Sequence, residues 1–550
     1  MNSEIRIFLE NILKCRSWIV LAVIIFFVAT IRIRLLQIPL ERDEGEYAYF
    51  GQLLLEGALP YKLAYNMKLP GTYGAYALVM AVFGQTTAGV HLGLLAANAL
   101  ATVFLFMIGR RGHSAFAGAA AAAAYALLSV SPSVLGTSAH ATHFVTVAAL
   151  GGVLLLLRAL ERQRSGGFFW SGVCFGLAFL MKQPGGAFAV FGLLYTLWAG
   201  MSARERRPAR VAGQAGLVAL GAVLPFGIVC LVLAAGGVFS KFWFWTFSYA
   251  REYGTQVSIG DGLLMLMASL SKITLSAAGL MVLAALGLTA MLWDRKAREN
   301  RFFLAGLFCF SFLAICPGLY FRPHYFVVWL PSVGLMAGVG LSALYEMVHR
   351  SRTPRFALAL LGILAVIAFG STISQHWEFF FEMPPEKACR SMYPLNPFPE
   401  SVKLAQYIKA HSSPGDTVGI IGSEPQIPFY AGRRSATGYL HMYPLMENQK
   451  YARQMQMEMI RELEQARPRF LVYVSIPKSW LVRRDSDTTI LAWADRYAME
   501  NYRRVGIAEM FSEGVTAYCW GDEAAGHALR SPFYVLLLER RDAPPRAIRE

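Results

Sequence analysis

Residues 18–47 read WIVLAVIIFFVATIRIRLLQIPLERDEGEY, an apolar segment followed at once by a cluster of acids. The apolar part is preceded by basic residues, and no convincing small-residue cleavage site follows it, so it predicts an uncleaved membrane-spanning helix over residues 17–38. We expect the N-terminus to be cytoplasmic. The acids then begin a long loop, residues 39–87, on the outer side of the membrane.

The composition of the whole chain is that of a membrane protein. Of its 550 residues 55% are hydrophobic and 16% are charged, and the mean hydropathy is +0.42. A soluble domain averages about 25% charged residues, so a soluble enzyme, a disordered chain and a coiled coil are excluded. The net charge of +16 indicates basic cytoplasmic loops and contacts with anionic membrane lipids, and we expect no nucleic-acid partner.

Clusters of Lys and Arg divide the chain into pairs of apolar segments. They lie at residues 110–111, 158–164, 204–210, 295–301 and 350–355. Because such clusters are retained in the cytoplasm, an even number of spans must separate them. The predicted eleven spans are 17–38, 88–109, 115–135, 141–158, 167–181, 184–200, 211–234, 268–293, 302–317, 325–347 and 356–374. The apolar stretch 72–84 is too short to span and predicts an interfacial or re-entrant segment.

After residue 375 the composition changes. The prolines of residues 376–399 predict a linker. Beyond it, short apolar runs alternate with helical segments and then follow one another, which is typical of an α/β domain. These runs have the length of strands and lie at residues 417–421, 470–475, 505–511, 515–520 and 533–538. We therefore expect a polytopic α-helical domain over residues 1–375 and a C-terminal α/β domain over residues 400–550, which span parity places outside the cytoplasm, in the periplasm of a bacterium.

Two of the seven cysteines, Cys389 and Cys519, fall in this outer part of the chain. An oxidising compartment permits a disulfide, so we predict that they pair. The other cysteines lie in or beside the spans, and none has the spacing of a metal site.

Every predicted outer connection carries ionisable side chains, whereas the cytoplasmic connections carry mainly the basic residues that topology requires. Ionisable groups at membrane depth are costly, which makes them functional candidates. The candidates are Asp43, Glu44, Glu46, Lys68, His140, His143, Lys182, Arg251, Tyr320, Arg322 and His324. Their concentration on one side predicts an active site at the outer membrane surface.

Structural interpretations of the same residues stay open. Asp43 and Glu44 could cap an interfacial helix, Lys182 could be a lysine that extends from a helix end toward water, and the histidines could be satisfied in the core. The bases Arg32 and Arg34 lie at the outer end of the first span, against the usual charge bias, which favours a role in holding an anion.

The stretch Arg42–Tyr47 (RDEGEY), directly after the first span, resembles the first-loop signature of the glycosyltransferase-C (GT-C) superfamily. The branch is that of the protein O-mannosyltransferases, dolichyl-phosphate-mannose-protein mannosyltransferase-like proteins and the lipid A aminoarabinose transferase. Lys68–Pro70 is similar to a loop that usually ends Lys-Pro-Pro, with Leu here in place of the first proline. The turns 179–184 and 322–326 are similar to later segments of the same branch. The resemblance covers residues 15–375.

The resemblance implies an integral-membrane hexosyl- or pentosyltransferase. It would move a sugar, with inversion, from a polyprenyl-phosphate carrier to a lipid, glycan or protein acceptor at the outer face of the cytoplasmic membrane. Asp43, with Glu44 beside it, would be catalytic, and the donor phosphate would be bound by cations, namely Lys68, Lys182, Arg322 and Arg251. Some relatives bind a divalent metal at the acidic loop, for which Glu44 with His324 or His140 would be ligands.

Two other functions compete with this one. A transporter or flippase of a lipid-linked or anionic solute would also place cations in a cavity, but it requires polar groups near the membrane midplane and on both faces. A polymerase or ligase of cell-surface glycans would use the same kind of donor.

Overall fold

The computed structural model describes residues 3–202, 207–350, 353–512 and 514–542, with the backbone alone for residues 3–16. Arg204, Arg206 and Arg352 of the predicted basic clusters lie outside the described residues.

The first part of the chain is a series of helices joined by short turns. These helices are Ser3–Arg34 (α1), Arg42–Leu55 (α2), Gly71–Phe83 (α3), Thr87–Gly112 (α4), Ala115–Val130 (α5), Ala141–Arg162 (α6), Ser165–Met181 (α7), Gly186–Met201 (α8), Pro208–Ala235 (α9), Phe239–Trp243 (α10), Ala250–Gly254 (α11), Ile259–Ser276 (α12), Ala278–Trp293 (α13), Arg295–Glu299 (α14), Arg301–Leu313 (α15), Leu330–His349 (α16) and Pro354–Gln375 (α17). Single turns of 3₁₀-helix cover Pro132–Val134 and Gln183–Gly185, a longer 3₁₀ segment covers Pro323–Val328, and π-helix covers Phe244–Tyr249 and Glu378–Glu382.

Eight of the described helices are long and apolar enough to cross a membrane, namely α1, α4, α6, α8 with the turn before it, α9, α12, α16 and α17. Helices α5, α7, α13 and α15 are apolar but shorter. Val223 and Leu231 on α9 and Phe356 and Val366 on α17 are exposed, which water would penalise and lipid would not. The predicted fold class is therefore confirmed, while the number of spans stays a prediction.

Helix α16 is the centre of the bundle and packs between α5 and α13. A Cβ added at Gly338 would lie 2.3 Å from the carbonyl oxygen of Ala117, so only glycine permits this approach. Small residues at helix contacts allow close backbone packing in lipid, where dispersion replaces the hydrophobic effect.

The span predicted at residues 268–293 is wrong, because the chain breaks at Ala277 into α12 and α13. Along α12, Ser269 donates to the carbonyl oxygen of Phe321 at 2.7 Å, and Ser276 donates to Ser133 at 3.0 Å. Phe321 lies in a turn that is predicted to be on the outer side, and Ser133 lies at the outer end of the predicted span 115–135. Helix α12 therefore lies along that side, and α13 alone runs to the opposite face.

The C-terminal part contains a six-stranded mixed sheet. Its strands are Thr417–Ile421 (β1), Arg434–Ser435 (β2), Phe470–Ser475 (β3), Tyr502–Ser512 (β4), Val515–Trp520 (β5) and Tyr534–Arg540 (β6). Their order is β2-β1-β3-β6-β4-β5, with β1 parallel to β2 and β3 and the other pairs antiparallel. Its helices are Pro385–Met392 (α18), Phe398–Ala410 (α19), Gln426–Ala431 (α20), Tyr443–Met446 (α21), Ala452–Ala466 (α22), Pro477–Trp480 (α23), Thr489–Asn501 (α24) and Gly521–Gly526 (α25).

This α/β domain is docked on helix α2. Arg42 forms a buried ion pair with Glu424 at 2.9 Å, and its Nε donates to the carbonyl oxygen of Ser423. A Cβ added at Gly45 would lie 2.6 Å from the Cβ of Gln426. The α/β domain therefore fixes the position of α2, and with it that of the acids on α2.

Candidate active site

The RDEGEY stretch begins α2, and the acids at this helix end have two different roles. Glu41 is the N-cap residue and forms a capping box with Glu44: Glu44 N donates to Glu41 Oε1 at 3.0 Å, and Glu41 N donates to Glu44 Oε2 at 3.1 Å. Asp43 takes no part in this cap. The capping interpretation therefore holds for Glu44 and not for Asp43.

Glu44 does not lie in the cavity described below. Its side chain is fully buried, and its Oε1 is bound by His91 Nε2 at 3.0 Å and by Ala139 N at 2.5 Å. Because these partners and the cap occupy both oxygens, the structure does not support the predicted metal site of Glu44 with His324 or His140, and Glu44 has a structural role.

Asp43 belongs to a cluster around the ammonium group of Lys68. Lys68 Nζ donates to Asp43 Oδ1 at 2.8 Å and to Glu46 Oε2 at 2.9 Å. Burial alone would raise the pKa of Asp43, but Lys68 holds that pKa well below its usual value. Burial likewise opposes ionisation of Glu46, whose pKa Lys68 and His441 lower. Both carboxylates are therefore ionised at neutral pH.

Asp43 and Lys68 line a cavity of about 260 Å³ between the helical bundle and the α/β domain. The other predicted residues that line it are Lys182, Tyr320, Arg322 and His324. The hydroxyl group of Tyr320 is buried and has no hydrogen-bond partner among the described residues. The structure thus brings six residues from three separate outer segments to one site.

Lys182 and Arg322 supply positive charge to this cavity. Lys182 Nζ lies 3.5 Å from the ring centroid of Tyr325, and the guanidinium of Arg322 lies 5.5 Å from that of Tyr320. Within the described part of the chain, neither cation has a carboxylate at salt-bridge distance. Lys182 follows the end of α7, and burial lowers its pKa to about 7, although Asp43 opposes this shift. The cavity therefore holds cations that lack a counter-ion.

His140 and His324 stack beside Asp43, with ring centroids 4.0 Å apart. His140 Nδ1 lies 3.9 Å from Asp43 Oδ2 and has no hydrogen-bond partner among the described residues. Burial lowers the pKa of His140 to about 4 and that of His324 well below its usual value, so both rings are neutral. One potential ligand atom from each of Asp43, His140 and His324 lies within 4.8 Å of the others. Two neutral imidazoles and a carboxylate are a fitting donor set for a divalent metal.

A second potential metal group consists of Asp43, Glu46 and His441. There the ammonium group of Lys68 already lies between the two carboxylates. A fixed cation at that place repels a metal ion, so the group with the two stacked histidines is the better candidate.

The other predicted site residues lie outside the cavity. His143 is buried beside the side chain of Asn98, at 3.3 Å. Arg251 is exposed on α11 and does not line the cavity, so its predicted contact with the donor phosphate is not supported.

Arg32 and Arg34 bind backbone carbonyl groups rather than an anion. Arg32 donates to Ser129 and Gly136, both at 2.9 Å, and Arg34 donates to Phe379, Phe380 and Met383. These contacts explain why both arginines lie at the outer end of α1. Arg32 holds the turn that follows α5, and Arg34 holds the π-helical segment that follows α17.

The predicted disulfide is not formed, because Cys389 and Cys519 are separate free thiols. Cys389 is buried against the carbonyl oxygen of Pro39, 3.9 Å away. Cys519 lies on β5, with its Sγ 3.6 Å from His527 Nδ1. The two residues are therefore held on different elements with other partners.

The α/β domain contributes cavity residues that the sequence analysis missed. They are His441, Tyr443, Pro444, Glu447, Leu481 and Arg483. Glu447 accepts a hydrogen bond from Tyr249 of the bundle at 2.7 Å. No local motif marks these residues, since they reach the cavity only through the docking of the domain on α2.

Comparisons with known proteins agree with this architecture. Residues 70–229 match the family model of dolichyl-phosphate-mannose-protein mannosyltransferases. The structure is similar to that of ArnT from Cupriavidus metallidurans bound to undecaprenyl phosphate, with 16% identity, a TM-score of 0.59, and coverage of 96% of this chain and 99% of that one.

It is also similar to the archaeal oligosaccharyltransferase AglB from Archaeoglobus fulgidus in complex with an inhibitory peptide and a dolichol-phosphate. That match has 12% identity, a TM-score of 0.57, and coverage of 92% of this chain and 74% of that one. No curated protein matches the sequence significantly. The family match thus covers residues 70–229, and the two solved structures share the fold of nearly the whole chain.

Proposed function

We propose that the protein transfers a sugar from a polyprenyl-phosphate carrier to a hydroxyl group of a lipid, glycan or protein acceptor. The observation that carries this proposal is a cavity in which two partly buried cations, Lys182 and Arg322, lie with an ionised carboxylate, Asp43, and have no salt bridge to any described residue. A phosphate-linked donor supplies the missing negative charge. The lipid phosphates in the ArnT and AglB structures support a donor of this kind.

In this mechanism Asp43 is the general base. It accepts the proton of the acceptor hydroxyl group while the acceptor oxygen attacks the anomeric carbon, and the bond from that carbon to the phosphate oxygen breaks. Lys182 and Arg322 stabilise the negative charge that develops on the departing polyprenyl phosphate. A single displacement of this kind inverts the anomeric centre.

Lys68 has a different part from the one that the resemblance implied. Its ammonium group is neutralised by Asp43 and Glu46, so it orients the base rather than offering a free charge to the phosphate. The donor phosphate is then bound by Lys182 and Arg322.

A divalent metal would be held by Asp43, His140 and His324. One AglB structure from A. fulgidus is a complex with Zn and sulfate. A bound metal would supply Lewis-acid stabilisation of negative charge next to the cleaved bond.

The cavity lies on the face of the bundle opposite the described basic loops, which supports catalysis at the outer face of the cytoplasmic membrane. The α/β domain is on the same face and would then be periplasmic. A flippase is the less favoured alternative, because the unpaired cations Lys182 and Arg322 lie beside a carboxylate at one face rather than along a path across the bundle. A glycan polymerase or ligase would be a special case of the proposed reaction, with a glycan as the acceptor.

The test is sugar transfer by purified Asp43→Asn and wild-type protein at equal folded concentration. Undecaprenyl-phosphate mannose and undecaprenyl-phosphate glucose, labelled in the sugar, serve as donors, and bacterial envelope membranes serve as the acceptor pool. Loss of a general base costs about 10²–10⁴-fold in rate. Asp261→Asn changes an exposed acid on the same face and is the matched control.

Transfer that is equal in the wild type and in Asp43→Asn removes Asp43 from the mechanism. Movement of the intact donor across a vesicle membrane without release of polyprenyl phosphate would favour the flippase instead.

A further inference from the structure

His441 is a residue of the α/β domain that contacts an acid of α2. Its Nε2 lies 2.9 Å from Glu46 Oε2, and its side chain lines the cavity while being 7% exposed. It comes from the segment between β2 and α21, almost 400 positions along the chain from its partner.

The contact with Glu46 determines which ring nitrogen of His441 carries the proton. An ionised carboxylate can only accept hydrogen bonds, so Nε2 is the protonated nitrogen and donates to Glu46. With that proton on Nε2, the other ring nitrogen, Nδ1, is left as the atom that can offer a lone pair to a hydrogen-bond donor. This atom is buried and has no partner among the described residues.

A buried acceptor without a partner is costly, which indicates that a ligand group satisfies it. The Nε2 edge of the ring faces Glu46, so the Nδ1 edge is the polar edge left to a molecule in the cavity. Its partner must be a hydrogen-bond donor, which a phosphate ester lacks. A sugar held by its phosphate at Lys182 and Arg322, with its anomeric carbon near Asp43, would extend toward His441, because a ligand atom of His441 lies within 4.8 Å of one of Asp43.

We propose that His441 accepts, at Nδ1, a hydrogen bond from a hydroxyl group of the sugar carried by the donor. The α/β domain then recognises the sugar, while the helical bundle binds the phosphate. This inference rests on the proposed function, and it assigns sugar selectivity to a residue outside the segment that matches the mannosyltransferase family.

The experiment compares donor binding by wild type, His441→Gln and His411→Gln in lipid nanodiscs. A glutamine amide reaches roughly the position of Nε2 and can still donate to Glu46, but it leaves no acceptor at the position of Nδ1. His411 is an exposed histidine of the same domain and gives the matched control. The probes are undecaprenyl phosphate, undecaprenyl-phosphate mannose and undecaprenyl-phosphate glucose.

In the wild type, at least one of the two sugars should increase affinity over undecaprenyl phosphate alone. His441→Gln should lose about 2- to 13-fold of that increase, the equivalent of one net hydrogen bond. Its affinity for undecaprenyl phosphate and its thermal stability should match those of His411→Gln. Deoxy-sugar donors then identify the hydroxyl group, since its removal should weaken binding in the wild type and have no further effect in His441→Gln.

Three results would overturn the inference: neither sugar adds affinity in the wild type, His441→Gln keeps the full increase, or it loses affinity equally for all three lipids. Failure of the wild type to bind undecaprenyl phosphate at all would instead contradict the proposed function.

Discussion

The two walls of the cavity offer different chemistry to a ligand. The wall built by the bundle carries Lys182 and Arg322, cations without carboxylate partners in the described structure. The wall built by the α/β domain carries hydrogen-bonding groups, among them His441, Tyr443 and Glu447. The cation among the described residues of this wall, the exposed Arg483, donates to Gln256 at 2.7 Å. Unpaired charge suits a phosphate, and directional acceptors suit hydroxyl groups. The difference supports the proposal that one wall binds the carrier phosphate and the other the hydroxylated parts of the substrates.

The largest expected effect comes from separating the walls. Arg42→Ala removes the partner of Glu424, a carboxylate that is fully buried. Breaking a buried pair costs about 3–5 kcal/mol, because the remaining charge has no compensation. We expect this loss in the free energy of unfolding in mixed micelles, together with loss of sugar transfer.

Arg295→Ala is the control for this variant, because it breaks an exposed pair with Glu299 and should cost about 0–1 kcal/mol. Equal stability of the two variants would mean that the α/β domain is not held on α2 by Arg42.

A second test concerns the metal candidate on the bundle wall. His324→Phe keeps an aromatic ring against His140 and removes a ligand atom. Loss of a group that merely supports a metal ligand costs about 10–100-fold in metal affinity, and loss of a ligand should cost at least as much. Titration with Zn²⁺ after chelator treatment measures this affinity.

Glu44→Gln tests whether Glu44 is a metal ligand, as the resemblance implies, or a structural residue, as its contacts indicate. In the structure Glu44 binds His91 and Ala139, so this variant should keep the Zn²⁺ affinity of the wild type. Loss of Zn²⁺ from Glu44→Gln with retention in His324→Phe would reverse the assignment.

A third test uses the pKa of Lys182, which burial lowers to about 7. Below this pH the lysine is already charged, so affinity for undecaprenyl-phosphate mannose, a phosphodiester of constant charge, should be flat. Above it, binding must take up a proton, and affinity should fall by up to about tenfold per pH unit. Lys182→Arg stays protonated and should remove the pH dependence. A wild-type affinity that is constant between pH 6 and pH 9 would contradict the role of Lys182.

Much of the bundle and of its wall of the cavity could be predicted from the sequence. Apolar runs separated by basic clusters locate most of the helices. When two consecutive helices are joined by a short outer turn, the residues of that turn, such as Lys182 and Arg322, are predicted to lie on the outer face. Asp43 was identified for the same reason, since it directly follows the first span.

The remaining features depend on tertiary contacts that local patterns do not encode. Asp43 and Glu44 are adjacent acids that cannot be told apart by a local sequence pattern. Because neighbouring residues on a helix point roughly 100° apart, the two side chains have different positions in the fold. The break at Ala277 has no proline to mark it. His441 reaches Glu46 only because the α/β domain docks on α2, a contact across almost 400 positions of the chain.

The most direct test of the central claim is the binding of undecaprenyl phosphate to three proteins: the wild type, Lys182→Ala combined with Arg322→Ala, and Arg251→Ala. A hydrogen bond to a charged group contributes about 1.5–3 kcal/mol, so the double variant should bind at least about tenfold more weakly. Arg251 is exposed outside the cavity, and its variant should bind within about twofold of the wild type. Wild-type affinity in the double variant, or an equal loss in Arg251→Ala, would contradict the assignment of the cavity to the carrier phosphate.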